Sequence, residues 1–363
     1  MRVAIIGGGV MGLSTAYYLA KMGADVTVFE QKYLLYGASG RNSGGITPMI
    51  DKKELIPFAV KSLELYDTLP AEVDFNFLFR KDGYIKVAAS EEDAEKLKKD
   101  VRMQNELGVR SKIIEPDEVR EFVPDFNTSA ITLASYCEDS GVIFPWPVVW
   151  GLAKGCRELG VKILDQTRVE EVVVEGGVKG VKTNGELHKA DVVVNAAGAW
   201  SNEISKMAGA KLNNRVVKEE ICVTESIKPY LDPYIFDVTY GVYLSQSARG
   251  EIVGGIVGSE VEEIDTRSSL EFAVRYAKRA TQLIPMLKGL AMLRQWAGVY
   301  DEGRDGLPVV GFTEVEGFVQ ANGLGRHTGM IVAPAMGREL AKLIIKGENP
   351  NLKPFSPSRP TIA

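Results

Sequence analysis

Histidine is nearly absent from the 363 residues: only His188 and His327 occur. That leaves almost nothing for a Ser-His-Asp relay or a polyhistidine metal centre. Cysteine is scarce too. Cys137, Cys156 and Cys222 are an odd, scattered set with no C-x-x-C pair, which argues against a disulfide framework, a zinc site or an iron–sulfur cluster held by this chain alone. The expected surroundings are a reducing cytoplasm. No uninterrupted apolar run approaches the ~18 residues of a membrane-spanning helix, so spanning is not expected and only peripheral attachment stays open. A surplus of positive charge is also missing, the net charge being −5, which argues against nucleic acid as the main partner. An apolar run follows Arg2 at the start of the chain, but the glycines in it and the lack of an A-x-A site do not suit a secretory leader.

With 45% hydrophobic residues and 37 glycines, the chain can bury a large core in one or two closely connected domains. The first thirty residues carry the strongest local signal. Arg2 to Ile6 is a short apolar, β-branched run, and Gly7-Gly8-Gly9-Val10-Met11-Gly12 follows at once. A G-x-G-x-x-G turn between a strand and a helix holds dinucleotide phosphates. Glycine at 7 lets the chain turn, at 9 it removes the Cβ that would block a pyrophosphate, and at 12 it lets the helix pack closely on the sheet. The apolar positions from Met11 to Met22 predict a buried helix, with Val10 and Met11 at its amino end beside the phosphates. Gly23 can cap it, and Asp25 to Phe29 reads as a second strand ending in Glu30 and Gln31. Glu30 stands 18 residues beyond Gly12, where a carboxylate accepts hydrogen bonds from a ribose diol and repels a 2′-phosphate.

Tyr36 to Ile46 (YGASGRNSGGI) is small, polar or glycine apart from its ends and Arg41. Such a segment can thread along a ligand and offer it backbone N–H groups, or it can be a plain surface loop. GGGVMG, Glu30 and ASGRNSGGI together resemble the amine-oxidising flavoproteins of the D-amino acid oxidase superfamily, which includes glycine oxidase, sarcosine oxidase and the dye-linked proline dehydrogenases. The resemblance implies FAD on the Rossmann-type turn, with Ser39, Gly40, Arg41, Asn42, Ser43, Gly44 and Gly45 beside its pyrophosphate and flavin ring. It also implies non-covalent FAD. Relatives that attach flavin use His or Cys, and this chain has no His near the segment and no Cys beyond 222.

Later motifs carry the resemblance along almost the whole chain. Residues 52–69 have helical spacing, 80–89 reads as a hairpin-like strand, Glu91 to Leu107 as a solvated amphipathic helix, and Glu115 to Phe126 as a connecting helix. Gly141 to Pro147 (GVIFPWP) resembles the family's D-G-x-x-x-P, with Ser140 in place of Asp. Thr167 to Thr183, turning at Gly176-Gly177, predicts a β-hairpin, and the resemblance places the adenine contact on the backbone of Val169. His188 is expected to be exposed. Asp191 to Gly198 is a buried-type strand; with Ala199-Trp200-Ser201 it resembles the A-x-G-x-W-S turn, placing Ala197, Gly198 and Trp200 on the FAD diphosphate. Val216 to Gly255 alternates like an antiparallel sheet. There Tyr240 and Tyr243 should face opposite ways, and the resemblance puts Tyr243 in the amine pocket. Arg294 to Tyr300 and Asp305 to Gly311 resemble R-x-W-A-G and D-x-x-P-x-x-G. Glycine-oxidase-like relatives carry a carboxylate-gripping arginine where Tyr300 stands here. Gly323 to Met330 (GLGRHTGM) is an altered G-x-G-H-G, which puts Gly325, Arg326, Thr328, Gly329 and Met330 at the flavin and Arg326 or His327 on the rim. A helix over 331–346 should follow, with Pro334 in its first turn and its amino end toward the flavin.

The expected fold is therefore α/β, a Rossmann-type FAD-binding domain (1–47, 141–210 and 304–350) with a discontinuous mixed-sheet (α+β) substrate domain (48–140 and 211–303) and a C-terminal tail, 351–363. The resemblance implies hydride transfer from the α-carbon of a small amino or imino acid to flavin N5, giving the imine. That needs a deprotonated amine, its C–H over the flavin and a carboxylate anchor, with neither a metal nor a dedicated base. Arg326 is the expected anchor, or else it pairs with a protein carboxylate; Tyr243 and Tyr300 line the pocket and His327 stands nearby. Proline or hydroxyproline leads among substrates, then sarcosine or glycine, with a dye, quinone, oxygen or partner subunit as electron acceptor. Two rivals stay open: a hydroxy-acid or glycerol-3-phosphate dehydrogenase on the same fold, and a flavin-carrying subunit working only inside a hetero-oligomer. A homo-oligomer is equally compatible.

Overall fold

The computed structural model describes residues 1–361; Ile362 and Ala363, the end of the expected tail, lie outside the described residues. Its first sheet grows from the strand Arg2–Ile6, which lies between parallel strands Asp25–Phe29 and Val192–Asn195. Lys162–Leu164 extends it on one side, Phe318–Asn322 and Val309–Phe312 on the other, and only the last pairing is antiparallel. Continuous Val and Ile runs suit a parallel sheet covered on both faces: Val3 to Ile6 and all of Val192–Asn195 are buried. The first helix, Val10–Lys21, and the C-terminal helix, Gly329–Lys346, pack together in the large core cluster on one face. They cross so closely that a Cβ on Gly337 would stand 2.7 Å from Ser14 Cβ. A small three-stranded sheet (171–189) and the helix Ser201–Met207 cover the other face.

The second sheet has eight strands in the order Met292–Glu302, Arg215–Ser226, Glu251–Glu260, Val242–Gln246, Tyr234–Asp237, Tyr84–Ala88, Leu133–Cys137, Ser111–Ile114. Two distant stretches of chain build it, five strands from beyond residue 211 and three from before residue 140. Along Arg215–Ser226 the side chains of Val217, Glu219 and Ile221 are buried at period two, so one acidic residue shares the inward face with aliphatic ones.

Several local expectations are corrected. Tyr84–Ala88 is no hairpin arm: it runs parallel to Tyr234–Asp237 and antiparallel to Leu133–Cys137, because its apolar residues on both faces suit the middle of a sheet. The connecting helix shrinks to a 3₁₀ turn, Pro116–Glu121, since Pro124 disfavours helical geometry at Val123. Residues 350–361 are packed rather than trailing. Phe355 is fully buried against Phe58, and Arg359 forks onto Asp305 at 2.8 and 2.9 Å.

The C-terminal helix begins two residues earlier than expected, at Gly329, so Pro334 is its sixth residue rather than a member of the first turn. Proline has no N–H there to bond the Met330 carbonyl one turn back. Tyr66, from the helix Ile56–Glu72, fills the gap: its Oη donates to Met330 O at 2.6 Å. Tyr66→Phe keeps the ring and orphans a buried carbonyl, which costs about 1–3 kcal/mol. A thermal melt should show Tyr66→Phe less stable than the wild type by that amount, and an unchanged melt would show that the carbonyl finds another donor.

Candidate active site

A large cavity opens at the carboxyl ends of the parallel strands, bordered by Ile6, Phe29, Ala196 and Ala321 and roofed by the second sheet. In doubly wound sheets this crevice is where ligands sit. The glycines at its floor divide into two kinds. Gly7 adopts φ +112°, and a Cβ there would meet Ala196 O at 2.3 Å; one on Gly12 would meet Gly7 O at 2.0 Å. Both are glycine because the chain itself leaves no room. Gly9 differs. The nearest atom to its Cβ would be Ser39 Oγ at 3.1 Å, and the residue borders the cavity. Glycine at 9 therefore keeps space free for something that is not part of the chain.

The glycine-rich segment folds over this floor by local hydrogen bonds. Ser39 Oγ accepts from Val10 N at 3.0 Å; Asn42 Nδ2 donates to Ser39 O at 2.8 Å while its Oδ1 accepts from Gly44 N at 2.9 Å. Arg41 donates to the carbonyls of Tyr36 and Ala297. Glu30 accepts from Gly8 N at 3.0 Å and Lys32 N at 2.9 Å. Burial pushes its carboxyl above the usual range, and those amide bonds work against the shift. The same cavity wall carries Met11, Gln31, Ser43, Gly45, Val169, Ala197, Gly198 and Trp200, then Gly325, Arg326, His327, Thr328, Gly329 and Met330, and also Tyr300. The first amides of both long helices, which have no carbonyl one turn back inside the helix, thus border one space.

Three residues expected on the wall stand behind it. Gly12 is spent on helix packing, Gly40 lies against Leu35 O, where a Cβ would approach to 2.1 Å, and Tyr243 is fully buried in the second sheet. Tyr240 is exposed in the preceding turn. His188 is half-buried, bonded to Thr183 Oγ1 at 2.7 Å, away from the cavity.

The family described as "FAD dependent oxidoreductase" matches residues 2–343. The chain belongs to this family. Sarcosine oxidase subunit beta from Rhodobacter capsulatus is 31% identical over 356 residues, covering 96% of this chain and 86% of that protein. Glycine oxidase from Geobacillus kaustophilus is 27% identical over 368 residues, covering 98% and 96%. The crystal structure of L-proline dehydrogenase from P. horikoshii superposes with a TM-score of 0.93 at 33% identity, covering 99% and 97% of the two chains. This FAD-dependent oxidoreductase has the furniture its cofactor needs. The space kept open at Gly9, the converging helix amides and the Glu30 carboxylate fit a pyrophosphate and a ribose without a 2′-phosphate.

Sequence reasoning missed two residues on the second-sheet side of the cavity. Glu219 borders the cavity at 8% exposure. Its Oε1 accepts from Tyr243 Oη at 2.5 Å and lies 3.2 Å from His327 Nε2; its Oε2 accepts from Tyr300 Oη at 3.3 Å and Gly258 N at 3.4 Å. Burial raises a carboxyl's pKa, but His327 and the Tyr243 and Gly258 donors outweigh it and hold Glu219 below its ordinary value. Tyr234, also missed, stacks between Tyr84 at 4.6 Å and Tyr243 at 6.1 Å and shares a 2.8 Å hydrogen bond with Ser43. The available signal was an acid at inward parity between Val217 and Ile221.

Gly9→Val is the test of the cradle. Gly9 has φ −78° and ψ 179°, which a β-branched residue adopts freely, so the variant should fold and melt like flavin-free wild type. It should purify colourless, because a branched side chain fills the open space. Normal flavin absorbance in Gly9→Val would remove the phosphate role from that turn.

Proposed function

We propose that the protein is a dehydrogenase or oxidase of a small amino or imino acid, with proline or hydroxyproline the favoured substrate, then sarcosine or glycine. The observation that carries this reading is a guanidinium without a carboxylate partner. Three arginines border the cavity: Arg41 is bound to two carbonyls, Arg168 is paired with Glu203 at 2.7 Å, and Arg326 has no carboxylate within 4.0 Å among the described residues. It stands at the rim beside Tyr300. A planar fork in that position suits a substrate carboxylate and fixes its orientation. Arg294 and Arg326 are both exposed, but only Arg326 borders the cavity.

When bound, the flavin supplies the two-electron acceptor for the α-hydride. The protein's part is to hold the amine and carboxylate so that the α-C–H faces it, and to exclude water with Tyr300, Tyr234 and the His327 turn. We take the FAD to be non-covalent. No cysteine borders the cavity, and the single histidine there, His327, lies against Glu219. Thr328, Gly329 and Met330 would bring helix amides to the reduced flavin's negative charge.

Arg326→Ala should retain flavin content and melting temperature while kcat/KM falls about 30- to 1000-fold, the loss of roughly 2–4 kcal/mol from a charge-assisted pair. Arg326→Lys should recover part of it. The substrate is identified by anaerobic bleaching with L- and D-proline, sarcosine, glycine and glycerol-3-phosphate; bleaching by the last alone would overturn the amine reading.

A second reading, that the chain works as the flavin-carrying subunit of a larger assembly, is favoured by a surface feature. Phe144, Trp146 and Trp150 are each more than 40% exposed, Phe144 stacked on Trp146 and Trp150 edge-on to it, and Trp146 Nε1 donates to Gly40 O at 2.8 Å, on the cradle segment. The R. capsulatus relative is itself named a subunit. Isolation from the native source should then yield further chains in fixed ratio, whereas full dye-linked turnover by the isolated chain would argue against it.

A further inference from the structure

We infer that Glu219 holds the ammonium pole of the substrate and thereby selects amines over alcohols of the same shape; the inference rests on the amine-oxidation reading above. A carboxylate has room for about four hydrogen bonds. Here one is short, the 2.5 Å bond from Tyr243. Those from Tyr300 and Gly258 are stretched to 3.3 and 3.4 Å, and His327 Nε2, though 3.2 Å away, is not aligned to make a hydrogen bond and has no other partner. His327 lies against Oε1 alone, so Oε2, held by two long bonds, keeps acceptor capacity for a further donor. No lysine or arginine lies within 4.0 Å of Glu219 among the described residues, and the carboxylate borders the cavity.

The neighbours of Glu219 are arranged to keep it there. Tyr243 presses from inside the sheet. His327 sits at φ +57°, a left-handed conformation uncommon for a residue with a side chain. Its ring is clamped edge-on against Tyr243 at 4.9 Å and near Phe236 at 5.5 Å. Strain of this kind persists where surrounding packing over-determines it. Because Arg326 immediately precedes His327 in the chain, the strained turn sets a cation on the rim of the cavity that the Glu219 carboxylate also borders. That pair complements a zwitterion as it binds, carboxylate to Arg326 and ammonium to Glu219; the ammonium then gives one proton to Glu219, leaving the neutral amine that hydride transfer requires. A hydroxy acid offers the first and not the second, and would leave the carboxylate unmet.

The test uses the FAD-loaded protein and whichever amine bleaches the wild type, compared with its oxygen isostere, which keeps the carboxylate and lacks the ammonium: tetrahydro-2-furoate for proline, methoxyacetate for sarcosine, glycolate for glycine. Isostere binding is read from the perturbed flavin spectrum, without turnover. Glu219→Gln keeps the shape and the acceptor for Tyr243 but removes the charge. Its kcat/KM for the amine should fall roughly 30-fold or more, the isostere's Kd should stay within about threefold or tighten, and Glu219→Asp should recover part of the loss. Equal weakening of amine and isostere, with normal FAD content, would assign Glu219 to pocket structure and overturn the inference, as would an unchanged preference. If no amine bleaches the wild type, the reading of the reaction fails first and this inference with it.

Discussion

The close crossing of the first and last helices is the constraint on which the site depends. Gly337 lets the two backbones meet at Ser14 and Thr15, and from there both helices run back to the same cavity. Their amino ends, each carrying partial positive charge, converge on one space. Neither would suffice alone. A single helix end gives a weak anion site, and two ends a fixed distance apart would hold two parts of one anionic cofactor.

The opposite wall obeys a different electrostatic rule. There the second sheet supplies stacked tyrosines, Tyr84, Tyr234 and Tyr243, whose faces are apolar; the hydroxyls of Tyr234 and Tyr243 are committed to Ser43 and Glu219. One carboxylate is held charged in surroundings that disfavour charge. The cavity thus joins a positive floor built of backbone to a negative point built of a side chain, and that polarity runs across its width.

Much of this was legible in the residues because backbone demands are local. Gly7, Gly9 and Gly12 announce a turn whose geometry allows little else, and the Val192–Asn195 strand reads as buried from its composition alone. What was less legible depends on partners remote in sequence. Glu219 sits in a run of charged residues, and its meaning appears only when strand parity is combined with Tyr243, 24 residues on, and His327, more than 100 residues on. The start of the C-terminal helix was misplaced because Pro334 was read as a first-turn residue. A tyrosine 264 residues earlier supplies the donor that lets proline sit deeper. Gly40 was assigned to the ligand with its glycine-rich segment, but glycine also serves close packing of chain on chain, as it does at Gly12.

The bond from Tyr66 to Met330 has a bearing on motion. Tyr66 lies on the helix Ile56–Glu72, which shares one core cluster with the first and last helices, and Met330 lies in the first turn of the last. Any lifting of that helix off its neighbour must break the bond and bare a carbonyl buried inside a proline-interrupted helix. Movements of side chains and short turns at the rim leave the bond intact, so the least costly rearrangements lie there.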